Sequence, residues 1–218
     1  PNTSSAVERS AKLPILIDSG PMVVVDKPGG LLTQAPPDID SVEARLREQF
    51  AAEQPNSERR PYVGVPHRLD RPASGAMIML RTPKAARRIA EQFEHRTIEK
   101  TYWAIVAGRV DESSGSWSDY LRKVPGQALS EIVAVDHAEA QYALLGFKVL
   151  DRCAEASWLE IRLETGRTHQ IRLQCGSRGL PLLGDDQYGS RIPFGPAVDD
   201  PRGRWIALHA RSLSFELP

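Results

Sequence analysis

An α+β fold is predicted, a largely antiparallel sheet with a few helices packed on one face. Three observations carry this. Strand-like segments follow one another through the second half of the chain, at residues 102–106, 132–135, 142–149, 158–163 and 213–217. Apolar residues alternate with polar ones at Leu159, Ile161 and Leu163 and again near the end of the chain, the period of a half-buried strand. Helical spacing is confined to two segments in the first half, without the strand–helix alternation that a doubly wound parallel sheet needs.

Val23, Val24 and Val25, followed by Lys27-Pro28-Gly29-Gly30, form a buried strand stopped by a turn. Past the Pro36-Pro37 break, Asp40 is the expected cap of a helix whose Val42, Leu46 and Phe50 share one face. Residues 53–60 are polar. Apolar segments at 62–65 and 76–80 then flank a short polar turn. Thr82 before Pro83 is a helix start, a cap followed by proline at the first helical position, and Ala86, Ile89, Ala90 and Phe93 make its apolar stripe. Residues 195–204, rich in proline and acids and without periodicity, form a loop before the final strands. No internal repeat and no low-complexity tract is present.

The 218 residues are enough for one domain with a full core. Residues 1–12 are expected to be an extension and 13–218 a single domain. Hydrophobic content of 41% with 26% charged residues fits a soluble globular chain. No apolar run is long enough to span a bilayer and the start of the chain has no leader pattern, so a cytoplasmic location is expected and no membrane partner. Cys153 and Cys175 stand alone, which suggests neither a disulfide framework nor a zinc ribbon. The 28 basic and 28 acidic residues cancel, which argues against gripping nucleic acid over the whole surface. The charges are segregated, however. Arg162, Arg167, Arg172 and Arg178 face one acid, Glu164, and Lys84, Arg87, Arg88, Arg96 and Lys100 form a second basic group. A basic cleft on a neutral body suits a phosphate backbone over a limited footprint; for the second group, pairing with acids along a helix face is an equal alternative.

The run His67-Arg68-Leu69-Asp70-Arg71-Pro72-Ala73-Ser74-Gly75 sets one carboxylate between two arginines in the polar turn, where catalytic groups collect on strand-held loops. Taken alone, such a stretch is usually a solvated surface ion pair. It resembles the motif that carries the catalytic aspartate in RNA pseudouridine synthases of the RluA family. Two further segments resemble the same family in the same order. Residues 100–108 (Lys100-Thr101-Tyr102-Trp103 onward) are similar to the segment with its active-site tyrosine, and residues 163–172 (Leu163 through Arg167-Thr168-His169-Gln170-Ile171-Arg172) to the segment with the aspartate's basic partner. Shorter matches lie at 26–31, 184–189 and 208–210.

The resemblance implies a pseudouridine-synthase-like mixed sheet with flanking helices and a central catalytic cleft, and an isomerase that converts uridine to pseudouridine in structured RNA, ribosomal or transfer, with no cofactor, no metal and no obligate protein partner. Asp70 is the implied catalytic carboxylate, Arg167 its basic partner and Tyr102 the residue that stacks on the detached uracil or relays a proton. A phenol with a pKa of about 10 is a poor base at neutral pH, so the second role requires a perturbed site. A guanidinium neighbour holds such a carboxylate ionised and aims it. Arg68 is implied to fill the gap left by a flipped uridine or to hold its phosphate, and Lys27, Lys100 and Arg172 to hold flanking phosphates. Gln34 and Ala73 depart from the histidine and threonine common in relatives, and Arg71-Pro72 resembles a branch acting on transfer RNA. The rival from another class is an inactive RNA-binding assembly factor with the same fold. His67, His169 and His209 lack the close-spaced pairs of a metal site and are expected to pack or hydrogen-bond. Ser74 lacks the flanking glycines of a hydrolase elbow.

Overall fold

The computed structural model describes residues 12–218; the expected extension at 1–12 lies outside them but for Lys12. Nine strands form one sheet in the order β1-β2-β3-β9-β4-β8-β7-β5-β6, with β1 Ile15–Ser19, β2 Met22–Lys27, β3 Ser74–Leu80, β4 Glu99–Ala107, β5 Ser114–Lys123, β6 Ser130–Ile132, β7 Gln141–Arg152, β8 Ala156–Leu163 and β9 Leu208–Ser214. Every pairing among them is antiparallel except β3 with β9. The α+β, largely antiparallel expectation therefore holds. Helices α1 Val42–Glu53 and α2 Pro83–Glu94 are those the spacing predicts, and α3 Gln170–Gly176 is a third.

The helix starts obey local chemistry. Ser41, not Asp40, caps α1: its Oγ accepts from Ala44 N–H at 3.2 Å, while Asp40 turns aside to pair with Arg45. Thr82 caps α2 as expected, with Pro83 at the first position and Ala85 N–H donating to Thr82 Oγ1. Along α2, Arg87 pairs with Glu91 one turn on, so part of that basic group is a solvated helix face. Strand β5 was not expected, because its serines, Asp119 and Arg122 hide the alternation in a polar stretch. It is nonetheless placed by eight paired positions against β7. The last strand begins and ends earlier than the expected 213–217.

The sheet is two halves joined at a narrow seam. On one side β2 and β3 pack with α1 over a core that includes Val23, Val25, Leu46, Phe50, Met77 and Met79, with the exposed β1 at the edge; on the other, β4, β8 and β7 pack with α3 over Ala104, Val106, Leu145, Leu159, Ile161 and Cys175. The halves meet where β3 runs parallel to β9 for only two pairs, Ser74 with His209 and Gly75 with Ala210. Gly75 has φ 116, and a β-carbon there would lie 2.4 Å from the carbonyl oxygen of Ala210. Only glycine meets both demands.

The rest of the free edge of β3 is taken by the approach to the Asp70 turn. Gly64 exchanges two backbone hydrogen bonds with Leu80, and the His67 ring then takes a strand's place, its Nε2 accepting from Ile78 N–H at 2.9 Å. The ring also stacks on Phe93 of α2 with centroids 4.7 Å apart. Its proton is therefore on Nδ1. Burial, with a smaller contribution from the Lys100 charge, pushes its pKa down to about 3.

Two outcomes are expected. Gly75→Ala costs about 3 kcal/mol or more, from strain and overpacking together. Gly126→Ala, at φ 70 with open space around it, costs about 1 kcal/mol, read as shifts in urea midpoint. The second concerns acid. Unfolded, His67 takes up its proton near 6.5; folded, only near about 3. The unfolded chain binds more protons across that window, so the contribution of His67 is complete above 6.5 and is lost as pH falls through it. His67→Gln, whose amide oxygen still accepts from Ile78, flattens this acid limb; parallel decline of both proteins in urea midpoints taken between about pH 7 and about pH 4 rules the assignment out.

Candidate active site

Asp70 lies in the turn between the His67 segment and β3, at the seam between the half-sheets. The turn is pinned from every side. Leu69 is tied in both directions to Thr33 Oγ1, whose hydroxyl donates to the Leu69 carbonyl at 3.0 Å. Arg71 Nε donates to the Gly30 carbonyl at 2.9 Å, Ile206 N–H to the Pro72 carbonyl, and Ser74 Oγ meets His209 Nδ1 at 2.9 Å. Beneath it sits Lys27, fully buried, with Nζ donating to the carbonyls of Pro28, Arg71 and Ala73 at 2.9, 3.0 and 2.6 Å.

That position corrects the expectation for Lys27. A side chain with no exposed surface and all three N–H bonds spent on carbonyls cannot hold an RNA phosphate; it holds the turn. Burial pushes its pKa down to about 7, against the pull of Asp70 and with help from Arg71.

The basic partner of Asp70 is also corrected, from Arg167 to Arg172. Arg172 Nη1 donates to Asp70 Oδ2 at 3.3 Å. The guanidinium is buried and its other two nitrogens are committed: Nε to Asp185 Oδ2 at 2.7 Å, Nη2 to Asp185 Oδ1 at 2.8 Å and to Gln187 Oε1 at 2.7 Å. Asp185 is itself 1% exposed. Such a fork pairs with a planar carboxylate in two parallel bonds, which fixes the angle at which Nη1 reaches Asp70. Arg172 consequently is not free to hold a flanking phosphate. Arg167, five residues earlier, donates Nε to the Tyr142 carbonyl at 2.9 Å and has Arg96 as a charged neighbour. The physical reason is α3. His169 adopts the left-handed conformation at φ 54, the chain turns, and the helix beginning at Gln170 carries Arg172 inward while Arg167 stays on the outer approach.

His169 stands on the other side of the carboxylate, Nε2 at 3.8 Å from Asp70 Oδ1, with Nδ1 at 2.9 Å from the Tyr188 hydroxyl. The hydroxyl accepts from Ser130 N–H at 2.9 Å. Asp185, Gln187 and Tyr188 all come from residues 184–189, quoted above only as a short match; their joint action on Arg172 and His169 has no signature in spacing, because it depends on how α3 folds back.

Tyr102 sits on β4 and packs against both halves of the core. Burial, with a smaller part from the Asp70 charge, raises its pKa further above the ordinary phenol value. At neutral pH it is a neutral ring, poorly suited to taking a proton. Arg68 is exposed and lines the cleft. Lys100 is half-buried beside Gly166, its pKa lowered by burial and then by Arg96, against Glu164.

The cleft over Asp70 measures about 900 Å³ and is walled by the Thr33 segment, the turn itself, His169, Arg172 and residues 184–187, with Arg202 and Arg204 at its far side. Its volume admits a nucleotide and part of its neighbours. Among the described residues no group of three or more His, Cys, Asp or Glu is arranged to hold a metal ion, and no helix is long and apolar enough to cross a membrane. His67, His169 and His209 each make a hydrogen bond, as expected of them.

Comparison with known proteins places this geometry. Residues 21–177 match the family model described as RNA pseudouridylate synthase. The chain is 33% identical over 97% of its length to an RNA pseudouridine synthase of Synechocystis sp., and 32% identical over 98% to ribosomal large subunit pseudouridine synthase D of Xanthomonas campestris, in each case spanning 64% of the relative, less than two thirds. It is 32% identical over 94% of its length to an RNA pseudouridine synthase of Zymomonas mobilis, of which it covers 88%. In fold it resembles human RNA pseudouridylate synthase domain containing 4, with a TM-score of 0.73 at 24% identity over 92% of this chain and 83% of that one. With more than half of its length matched by the family model, this chain belongs to the RNA pseudouridylate synthase family.

Proposed function

We propose that this chain isomerises uridine to pseudouridine in structured RNA, with Asp70 as the catalytic carboxylate, and that ribosomal RNA of the large subunit is the first substrate to test. The observation that carries the reading is the carboxylate of Asp70 held at the floor of a nucleotide-sized cleft by a buried guanidinium. The choice of RNA rests on the names of the relatives, such as that from Xanthomonas campestris; the tRNA-like Arg71-Pro72 pair makes transfer RNA the second substrate to try. The cytoplasm, where such RNA is modified, is the proposed location.

The chemistry needs one ionised carboxylate and no electron carrier. Either an Asp70 oxygen bonds to the anomeric carbon, or it takes the 2′ proton of the ribose; in both routes the bond from that carbon to N1 breaks and its electron pair leaves with uracil. The ring turns and its C5 bonds to the anomeric carbon, as the Asp70–carbon bond breaks in the first route or as the proton held by Asp70 returns to the 2′ carbon in the second; the proton on C5 is then lost and N1 takes one up, which leaves Asp70 ionised again. Arg172 keeps one Asp70 oxygen occupied so that the other faces the sugar. Tyr102, as a neutral ring, holds the detached base by stacking. A target stacked inside RNA must first be flipped out at about a few kcal/mol. Arg68, exposed at the rim, is the residue proposed to fill its place, and Lys100 and Arg167 are proposed to meet flanking phosphates.

The test is carbodiimide mapping of pseudouridine in total RNA from cells with the gene, without it, and with an Asp70→Asn copy. One or a few sites are expected to vanish on deletion and to stay absent with Asp70→Asn, whose rate is lower by on the order of 10⁴-fold or more. Persistence of every site, with purified protein still binding RNA, supports the assembly-factor alternative instead.

A further inference from the structure

The Nε2 atom of His169 and the free oxygen of Asp70 line the same cleft 3.8 Å apart. That is too long for a hydrogen bond and too short for a water between them. The ring is nevertheless fixed. Its side chain is 12% exposed, its backbone is held in the left-handed region, and Nδ1 is engaged by Tyr188 at 2.9 Å. The direction of that bond follows from its surroundings. Ser130 N–H donates into the Tyr188 oxygen at 2.9 Å, so the phenol hydrogen must go elsewhere. Its two choices are His169 Nδ1 at 2.9 Å and the Ser130 carbonyl at 3.4 Å, and the shorter is the better bond. Burial lowers the pKa of His169, with Arg172 and Arg68 acting in the same direction against Asp70 and Asp185, so the ring is neutral at neutral pH. A neutral ring that accepts at Nδ1 carries its proton on Nε2. The cleft therefore presents an N–H donor beside the Asp70 oxygen, with no acceptor within hydrogen-bonding distance among the described residues.

Resting on the function proposed above, we propose that His169 is a catalytic residue that donates this hydrogen bond to the C2 carbonyl oxygen of the target uracil, and that Tyr188 is the positioning residue that sets its tautomer. When the bond between the anomeric carbon and N1 breaks, the electron pair passes to N1 and spreads onto the two ring carbonyls, of which that at C2 adjoins N1. An oriented donor at this oxygen stabilises the departing anion without transferring a proton, and more strongly than it stabilises the neutral base before cleavage. The contact would also keep the detached ring from leaving while it turns.

The experiment is single-turnover tritium release from C5-labelled uridine in transcripts of large-subunit ribosomal RNA and of transfer RNA. His169→Ala is expected to lower the rate by about 10²-fold with little change in KM. His169→Gln, which retains an N–H donor, should recover roughly tenfold of that loss. Tyr188→Phe should lose less than His169→Ala, and the double variant should be no slower than His169→Ala alone, because Tyr188 acts only through His169. Unfolding midpoints accompany each variant; if His169→Ala does not fold, the Gln and Phe variants decide. A His169→Ala rate within about threefold of wild type, no difference between Ala and Gln, or losses that multiply in the double variant overturn the inference while leaving the function standing. An inactive wild-type protein on both RNAs overturns the function and this inference together.

Discussion

The arrangement around Asp70 depends on one buried guanidinium. Arg172 is 4% exposed, and a cation so placed is tolerable only if its donors are matched. Asp185 supplies a two-bond carboxylate and Gln187 a third acceptor, which leaves Nη1 as the one guanidinium nitrogen to face Asp70. Removing any of these acceptors strands charge or a donor in the interior, so the group serves less as a stabilising bridge than as a means of fixing direction. It joins three distant stretches of chain: the turn before β3, helix α3 and the segment after it.

The seam between the half-sheets explains why the carboxylate is there. Strands β3 and β9 touch over only two residue pairs, and groups from both halves converge on the turn before β3. Lys27 and Thr33 come from the first half, Arg172, His169 and Asp185 from the second. Gly75 permits the close approach that makes the seam possible, and Tyr102 packs against both cores beside it. A loop pinned from two rigid lobes is held more firmly than one resting on a single sheet, as a preorganised site requires.

Much of this was legible in the sequence, and the limits have physical causes. The fold class followed from period-two alternation, α1 from its apolar face, though Ser41 and not Asp40 caps it, and α2 from its apolar face and its cap. Strand β5 was hidden because its exposed side carries serines and charges in place of an alternating pattern. Helix α3 was hidden because it is seven residues long and almost wholly buried, so it shows no amphipathic period. The resemblance brought both Arg167 and Arg172 into one motif without telling which meets the carboxylate; the turn at His169 settles it, with Arg172 facing Asp70 and Arg167 facing Tyr142. Lys27 misled for a different reason, since a lysine beside a Pro-Gly-Gly turn has the composition of a surface phosphate contact and only its three carbonyl partners show that it is buried. Asp185, Gln187 and Tyr188 act through contacts made across the fold, which no local pattern encodes.

The central claim is that Arg172, and not Arg167, orients the Asp70 carboxylate proposed to be catalytic. The most direct measurement compares pseudouridine formation by Arg172→Lys and Arg167→Lys on the same RNA. A lysine at 172 keeps the charge but cannot serve Asp185, Gln187 and Asp70 in fixed planar geometry. The account predicts a loss of about 10²-fold or more at Arg172 and less than about threefold at Arg167, where one backbone carbonyl is the partner. A full loss at Arg167 with near-normal turnover by Arg172→Lys contradicts it.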